Sequence, residues 1–455
     1  MGSTNAGMSS KPLPLYVRVL AGVALGALLG VLFGSRPYLF GLRNEHLGQL
    51  GVLVIKLLKA LAVPLIFLSI IDAFLKTRFT ARQGARLIAI CLVNVSVAMA
   101  IGLTVMNTLR PGDLWRGKLE QLVASAHPTG SASQLLAESH RGTLNPIDNL
   151  ATYVPRSLVD PFSENNVISV VLLALLAGAA LRHGKDHHDP TLAEDAALLE
   201  RLVAALYRVL VQMLEWVVQA IPFAVFGVVA QVVGRSGLGV FSILWVFLAT
   251  MLLGQVLHAL GYYPLMAWLV GRKSPRVYLG KGADAIVTGL SCNSSLATVP
   301  ITLRCLARMG VSERSARLAA CVGTNLNNDG ITLYEAMAAL FLVQALGVNL
   351  SLGGQMLIVA QSIMAGAGVA GIPEAGLIVL PLVLGGAGLP ETVIAGALPL
   401  IMTVDWIIAR GRSAVNVMSD MLVAVLLDAG ERASSTTEVT DQPAGSSSES
   451  HQPNG

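Results

Sequence analysis

The chain has 455 residues, of which 54% are hydrophobic and only 13% are charged, so it is too apolar for a soluble protein of this length. Aromatic residues make up 5% while glycines number 45, which suits helices packed through small side chains better than a β-barrel. The net charge of +4 is modest and falls in short loops, which argues against nucleic-acid binding. We therefore predict an all-α polytopic membrane protein.

Six apolar segments precede residue 278, and each is long enough to cross a bilayer at roughly 20 residues per span. They cover residues 15–34, 47–75, 84–109, 166–182, 203–233 and 239–270. The basic loops "KTRFTARQGAR" and "GRKSPRVYLGK" follow the second and sixth spans. Because positive loops stay in the cytoplasm, residues 1–14 and the C-terminus are predicted to be cytoplasmic. We expect a multi-pass protein of the cell inner (plasma) membrane, in contact with lipid.

Three polar segments lie outside these spans. Residues 110–165 are Pro-punctuated and are predicted to form an external loop with short helices. Residues 183–200 are rich in charge and indicate a cytoplasmic linker. Residues 431–455 have the composition of a disordered cytoplasmic tail.

The pattern changes in residues 278–430, where clusters of Ser, Gly, Pro and Asn interrupt the apolar segments. The interruptions are "TGLSCNSSLATVPIT", "GTNLNNDGITLYE" and "AGAGVAGIPEAG". Backbone outside a helix is tolerated at membrane depth only where protein or a water-filled cavity covers it. Broken segments of this kind indicate a substrate and ion site. We therefore expect residues 278–430 to be a transport core, following the helices in 15–277.

The stretch "NLNNDG" predicts a cation site. Asn327 and Asp329 are about 200° apart on a regular helix, so they can face one site only if the helix unwinds. Gly330 and the run of Asn residues favour unwinding. An unwound turn offers carboxylate, amide and backbone oxygens, which suit a hard cation. The alternative is a kinked helix with a solvated Asp at its end.

The last apolar segment contains "TVDWIIARGRSAVNVMSD", residues 403–420. On a helix, Asp405, Arg412, Asn416 and Asp420 share an arc of about 80°, with Ser413 at its border and Arg410 about 140° from Asp405. Ionisable groups at membrane depth usually face a partner, a cavity or a substrate. They could form structural ion pairs. An Arg fork also matches a carboxylate, which favours an anionic substrate.

Two of the interruptions are predicted to be re-entrant hairpins rather than ordinary loops. The segments around "CNSSLATVP" are too short to cross the membrane alone, and this turn supplies Ser294 and Ser295. The turn "GVAGIPEAG" could approach a ligand with bare backbone.

The order of four motifs resembles the glutamate/aspartate and dicarboxylate cation symporter family. These are "NSSLATVPIT", "NNDG", "GIPEAG" and "DWIIARGRSAVNVMSD", and "KLLKALAVPLIF" is similar to that family's second helix. The resemblance extends over about residues 15 to 430. It implies eight transmembrane helices, two re-entrant hairpins and a homotrimer. Spans 1, 2, 4 and 5 would form a scaffold, while spans 3, 6, 7 and 8 with both hairpins would form an elevator-like transport domain.

The resemblance also implies the ligands of the coupling cations. One Na⁺ site would be built by Gly323, Asn327, Asn416 and Asp420. A second would use Asn327 and Asp329, with Asn94 near a position usually filled by Thr. A third would use backbone carbonyls of span 7 and the second hairpin.

Substrate contacts follow in the same way from the family's pattern. Arg412 would bind one substrate carboxylate, beside Ser294 and Ser413. Ser295 and Asn416 would hold another, with backbone from Gly371, Ile372 and Pro373. The second hairpin would act as the extracellular gate.

Several positions depart from the family's pattern. Amino-acid-carrying members have an Asp where this chain has Ala409, and that Asp pairs with the substrate ammonium. In "NNDGI", Asn328 replaces a Met, and Ile331 replaces a Thr that helps bind the side-chain carboxylate. Arg410 matches an extra arginine of eukaryotic members, and Asn293 stands where many prokaryotic members carry it. Glu335 matches an acid that carries a proton in those relatives, although it could equally be solvated or merely hydrogen-bonded.

Ala409 leads us to predict a cation-coupled symporter of small dicarboxylates, driven by Na⁺ or H⁺ and without an organic cofactor. The alternative is a glutamate/aspartate symporter, with the ammonium held by hairpin carbonyls. A more distant alternative is an anion channel. We do not expect an enzyme, because the broken segments contain no His that could serve as a base for Ser294 or Ser295.

Overall fold

The computed structural model describes residues 15–76, 81–117, 157–163, 167–186, 190–325, 327–367 and 374–440. Within these ranges every regular element is helical. The predicted all-α architecture is therefore confirmed.

The first half of the described chain contains six long helical elements. They are α1 (Leu15–Phe33), α2 (Asn44–Lys76), α3 (Ala81–Leu109), α4 (Val167–Lys185), α5 (Pro190–Ser236) and α6, which has α-helical parts Val240–Val256 and Tyr263–Leu269 around a π-helical segment Leu257–Tyr262. Short helical turns also occur at Pro111–Trp115 and Asp160–Ser163.

The second half contains shorter elements. They are α7 (Pro275–Cys292), α8 (Ser295–Arg308), α9 (Glu313–Arg317, continued by π-helical Leu318–Val322 and a 3₁₀ turn Gly323–Asn325), α10 (Asp329–Ala345), α11 (Leu352–Ala367), α12 (Ala375–Gly386) and α13 (Glu391–Thr440). The pairs α7/α8 and α11/α12 occupy the positions of the two predicted hairpins. We call them the first and second hairpin.

Two boundaries differ from the sequence predictions. Helix α5 begins at Pro190, inside the segment predicted to be a linker, because Pro fits the first helical turn and "TLAEDAALLERL" is rich in strong helix formers. Helix α13 continues to Thr440, ten residues into the segment predicted to be a disordered tail. Most of the predicted external loop lies outside the described residues.

Close helix packing at one side of the molecule depends on a glycine series in α1. Gly22, Gly26 and Gly30 recur every four residues and face α5. A Cβ at Gly26 would lie 2.5 Å from the carbonyl oxygen of Phe226, so a larger residue would push the helices apart. Small residues at this spacing are typical of helices that pack together in membranes. Helix α5 also packs along α2.

Helix α10 lies at the centre of the other side of the molecule. All 17 of its residues are buried. It packs against α3, α6, α13 and both helices of the second hairpin. A helix that is apolar on nearly every side and enclosed by others is typical of the interior of a large bundle. Its first residue, Asp329, therefore enters the interior of the protein.

Five helices among the described residues are long and apolar enough to span a membrane by length and composition. They cover Asn44–Asp72, Gln83–Leu109, Thr191–Arg235, Leu244–Leu269 and Glu391–Arg432. These spans identify the chain as a multi-pass membrane protein.

Candidate substrate and cation site

The tip of the first hairpin is held by a left-handed residue and an N-cap. Asn293 has φ of 52°, a conformation that Asn tolerates better than most residues. The hydroxyl of Ser294 then accepts a hydrogen bond from the amide of Ala297 at 3.2 Å, which starts α8. The Ser295 hydroxyl accepts one from Thr324 at 3.4 Å. Both predicted serines are therefore buried at the positive end of α8.

The second hairpin meets the first through Glu374. This residue directly precedes α12 and has φ of 59°. The Asn293 side-chain amide donates to its Oε1 at 2.8 Å, and Glu374 is buried. The preceding turn, including Gly371, Ile372 and Pro373, lies outside the described residues, so their predicted backbone contacts stay predictions.

Arg412 is buried and paired within its own helix. Its guanidinium donates to both carboxylate oxygens of Asp405, at 2.7 and 2.9 Å. It also lies 4.1 Å from the centre of the Tyr334 ring. A Cβ at Gly376 would be 2.6 Å from the Arg412 Cζ, so glycine lets the second hairpin approach this arginine. The structural ion pair considered from sequence is therefore present, and binding of a substrate carboxylate by Arg412 stays a prediction.

A cavity of about 20 Å³ lies between the hairpin tips, α10 and α13. Its lining consists of Asn293, Ser294, Ser295, Ile331, Glu374, Ala375, Gly376, Ala409, Arg412, Ser413 and Asn416. The fold thus brings together seven of the predicted substrate residues. The volume is close to that of a single water. A dicarboxylate or an amino acid is larger than this volume.

Arg410 lies outside this cavity. Its Nη1 donates to the carbonyl oxygen of Trp406 at 2.8 Å. It lines a second cavity of about 520 Å³, together with Ser291 and Cys292 at the end of the first hairpin. Arg410 therefore faces the tip of the first hairpin, and its predicted part in substrate binding stays a prediction.

Asp329 is the centre of a buried polar cluster beneath the cavity. Its Oδ2 accepts hydrogen bonds from Ser419 at 2.7 Å and Tyr263 at 2.9 Å, and it lies 3.3 Å from Nε2 of His258. Its Oδ1 has no hydrogen-bond partner among the described residues. The solvated Asp considered from sequence is therefore wrong, because Asp329 is 1% exposed.

Two further predicted ligands adjoin Asp329. The Asn327 amide donates to Ser419 at 2.7 Å and to Asp420 at 3.5 Å, while its Oδ1 has no hydrogen-bond partner in the described ranges. Asp420 is also buried. Unpartnered buried oxygens on Asn327 and Asp329 are suited to a hard cation such as Na⁺.

The other predicted cation ligands lie around this cluster. Asn94 is fully buried on α3, and its Oδ1 accepts from the Tyr262 hydroxyl at 2.9 Å. The backbone carbonyl of Gly323 accepts a hydrogen bond from the backbone N–H of Asn327 at 2.7 Å. Within the described ranges there is no group of three or more His, Cys, Asp and Glu residues suited to a metal ion. Amide, hydroxyl and backbone oxygens would thus complete any Na⁺ coordination.

Asn416 connects the cavity to the two residues on either side of Asp329. Its Oδ1 accepts from the Gly330 amide at 2.9 Å, and its Nδ2 donates to Asn328 at 3.3 Å. Asn328 in turn donates to the Gly366 carbonyl of the second hairpin at 3.0 Å. A continuous set of hydrogen bonds therefore joins α13, the start of α10 and α11.

Glu335 is fully buried on α10. Neither carboxyl oxygen has a hydrogen-bond partner among the residues that the structure describes. The alternatives of a solvated or merely hydrogen-bonded Glu335 are therefore wrong. An ionised carboxylate in such surroundings would be costly, which favours a protonated side chain.

The sequence did not identify several groups of the site. His258, Tyr263 and Ser419 surround Asp329, but their spacing along the chain gives no signal that they meet. Glu374 did carry a signal, since it is the charged residue of "GIPEAG". It was overlooked because that turn was expected to contribute bare backbone.

Comparison with known proteins agrees with this geometry. Residues 15–429 match the profile of the sodium:dicarboxylate symporter family. The chain belongs to this family. Sodium:dicarboxylate symporters are membrane carriers, so the protein is a transporter of the symporter class.

Relatives of this family member include several animal proteins. Excitatory amino acid transporter 3 of Mus musculus is 28% identical over 452 residues, covering 89% of the chain and 83% of the relative. An excitatory amino acid transporter of Caenorhabditis elegans is 27% identical, covering 93% and 90% respectively. One from Onchocerca volvulus is also 27% identical, covering 93% and 92%. The similarity therefore includes nearly the whole length of each protein.

Proposed function

We propose that the protein is a cation-coupled symporter of acidic amino acids such as aspartate and glutamate. The observation that carries this proposal is the buried Arg412 fork in a cavity joined by Asn416 to the Asp329 cluster. A cation and an anion bound at these neighbouring places would stabilise each other by Coulomb attraction. The names of the relatives support amino acids over the dicarboxylates that Ala409 suggested.

Arg412 would exchange partners when substrate binds. In the closed site its two donors face Asp405. A substrate carboxylate entering beside Ser413 would take over part of this fork. The other carboxylate would meet the amide groups at the start of α8, with Ser295 and Asn416. Substrate binding would thus replace the ion pair between Arg412 and Asp405 with a similar ion pair between Arg412 and the substrate.

Na⁺ would bind at the oxygens of Asn327, Asp329 and Asp420, in the manner that the family resemblance implies. The second hairpin would open to admit substrate, since the cavity holds no more than about one water when closed. Transport would then follow by movement of one group of elements against another. The moving group would be the two hairpins with α3, α6, α10 and α13, and the fixed group would be α1, α2, α4 and α5.

We infer a homotrimer in the plasma membrane, with cytoplasmic termini. Native mass spectrometry in detergent would test the number of copies.

A dicarboxylate without an amino group is the second candidate. Ala409 favours it, because this position of α13 lacks the carboxylate that would pair with a substrate ammonium.

The coupling ion is a separate choice. The buried Glu335 supports coupling to H⁺ in addition to Na⁺.

Uptake into proteoliposomes tests the proposal. An inward Na⁺ gradient should drive saturable accumulation of labelled aspartate, and unlabelled succinate should compete more weakly than unlabelled glutamate. Liposomes with choline in place of Na⁺ are the control. Accumulation of succinate with no uptake of aspartate would establish the second candidate. Flux that rises linearly with concentration without accumulation would indicate an anion channel instead.

A further inference from the structure

The second hairpin brings a carboxylate to the substrate cavity. Glu374 lines the same cavity as Ala409 and Arg412, although it belongs to a different element from both. It is only 5% exposed. The cavity therefore has an acidic group on the hairpin side, opposite the helix where the family's amino-acid carriers have theirs.

The local structure does not explain why a glutamate is present here. Glu374 adopts φ of 59°, a left-handed conformation that is costly for a residue with a Cβ, so a glycine would suit the turn better. Its side chain makes no capping hydrogen bond to α12, the helix that it precedes. A buried carboxylate at membrane depth adds a further cost and is usually functional.

The arginine of the cavity already has a carboxylate of its own. Arg412 places both donors of its fork on Asp405. Glu374 instead accepts from the neutral amide of Asn293 at 2.8 Å. Arg412 is thus paired with Asp405, and Glu374 adds a second carboxyl group to the cavity wall, where it also shares a neighbouring cavity with Arg410. A cation that enters the smaller cavity would meet this carboxyl group.

We propose that Glu374 binds the ammonium group of the substrate, and so replaces the carboxylate that Ala409 lacks. This inference rests on the proposed transport of acidic amino acids and names the group that selects them. The substrate carboxylates would contact Arg412 and the start of α8, leaving the ammonium toward the second hairpin. An ammonium pairs strongly with a carboxylate through charge-assisted hydrogen bonds.

The location of Glu374 has a consequence for closure. A carboxylate on α13 is present whether the second hairpin is open or closed. Glu374 instead belongs to the second hairpin and contacts the tip of the first through Asn293, so it would leave the cavity with that hairpin. Closure over an amino acid would therefore gain an ion pair that closure over a plain dicarboxylate does not.

Aspartate and succinate are the matched probes, because they share both carboxylates and differ by the ammonium. In proteoliposomes, Glu374→Gln should weaken the apparent affinity for aspartate by about 10- to 100-fold. It should leave succinate competition unchanged or improved. Gln retains an oxygen that can accept from Asn293, so the hairpin contact survives. Glu313→Gln is the control, since that residue is exposed at the surface and its carboxylate pairs with Arg317.

The double variant Glu374→Gln with Ala409→Asp moves the carboxylate back to α13. We expect it to recover the preference for aspartate over succinate that the single variant loses. Equal losses for both ligands in Glu374→Gln, or an unchanged ratio, would overturn the inference. A wild-type protein that takes up succinate but not aspartate would instead contradict the proposed function.

Discussion

Arg412 and Asp405 show how a buried charge can be kept ready for a ligand. The two side chains are 2% and 0% exposed and share two hydrogen bonds. Removing one partner of a buried pair leaves the other charge uncompensated, which is far costlier than breaking an exposed pair. The same pairing allows a substrate carboxylate to substitute for Asp405.

Asp405→Asn should therefore destabilise the protein. We expect a loss of about 3–5 kcal/mol in the free energy of unfolding, seen as a lower midpoint of thermal unfolding. Aspartate with Na⁺ should raise the midpoint more in this variant than in wild type, because the ligand supplies the missing carboxylate. Asp284→Asn is the control, since its pair with Arg308 is exposed and such pairs contribute about 0–1 kcal/mol. Similar midpoints for the two variants would contradict this assignment.

Glu335→Gln tests proton transport. Gln cannot gain or lose a proton, yet it has nearly the same volume. If Glu335 carries the proton, Na⁺-driven uptake in the variant should lose its dependence on external pH, while substrate still stabilises the protein. Glu391→Gln, at the start of α13, is the control and should keep the wild-type pH profile. Retained pH dependence in Glu335→Gln would exclude this residue as the carrier.

At the scale of elements, the close contact of α10 and α13 requires a glycine. A Cβ at Gly330 would lie 2.5 Å from the Arg412 carbonyl oxygen, so Gly330→Ala must displace backbone. We expect destabilisation of about 1–3 kcal/mol and weaker substrate binding. Gly280→Ala in α7 is the matched control, because nothing lies within 4 Å of its Cβ position. Thermal unfolding with and without aspartate would measure both, and equal behaviour would show that the contact can relax.

The sequence predicted the elements better than it predicted their contacts. Hydropathy located the long helices, and the polar interruptions marked segments that the fold brings together around Asp329 and Arg412, because unpaired backbone and charge are costly in a membrane. Helical periodicity also placed Asp405 and Arg412 on one face. It could not show that Tyr263 and His258 reach Asp329, since this depends on packing between distant helices. Sequence reasoning misses Glu374 because it assigns only bare backbone to the turn that contains it.

At the scale of the whole molecule, the hydrogen bonds of Asn416 join the places where we propose that the cation and the substrate bind. The side-chain amide of Asn416 contacts Gly330 and Asn328, and the same side chain lines the cavity between the hairpins. Coupling between two ligands is a free energy that acts equally in both directions. A symporter needs such coupling to prevent movement of either ligand alone.

Asn416→Ala should reduce this coupling. In wild type, we expect Na⁺ to increase the apparent affinity for aspartate by about 5- to 150-fold, and aspartate to do the same for Na⁺. In the variant both effects should fall together. Isothermal titration in the presence and absence of each partner would measure them. Asn107→Ala is the control, since that exposed amide contacts Gln355 away from the cavity. A variant that weakens only substrate binding would show that Asn416 is a simple ligand.

The π-helical segment Leu257–Tyr262 accommodates one more residue in its turn than an α-helix does. If this turn became α-helical without a change in chain length, everything after it would rotate by about 100°. The Tyr263 hydroxyl would turn away from Asp329, while α6 would keep its apolar character and nearly its full length. The π-helical turn thus sets the direction in which the Tyr263 hydroxyl donates to Asp329, a property that the hydropathy of α6 does not reveal.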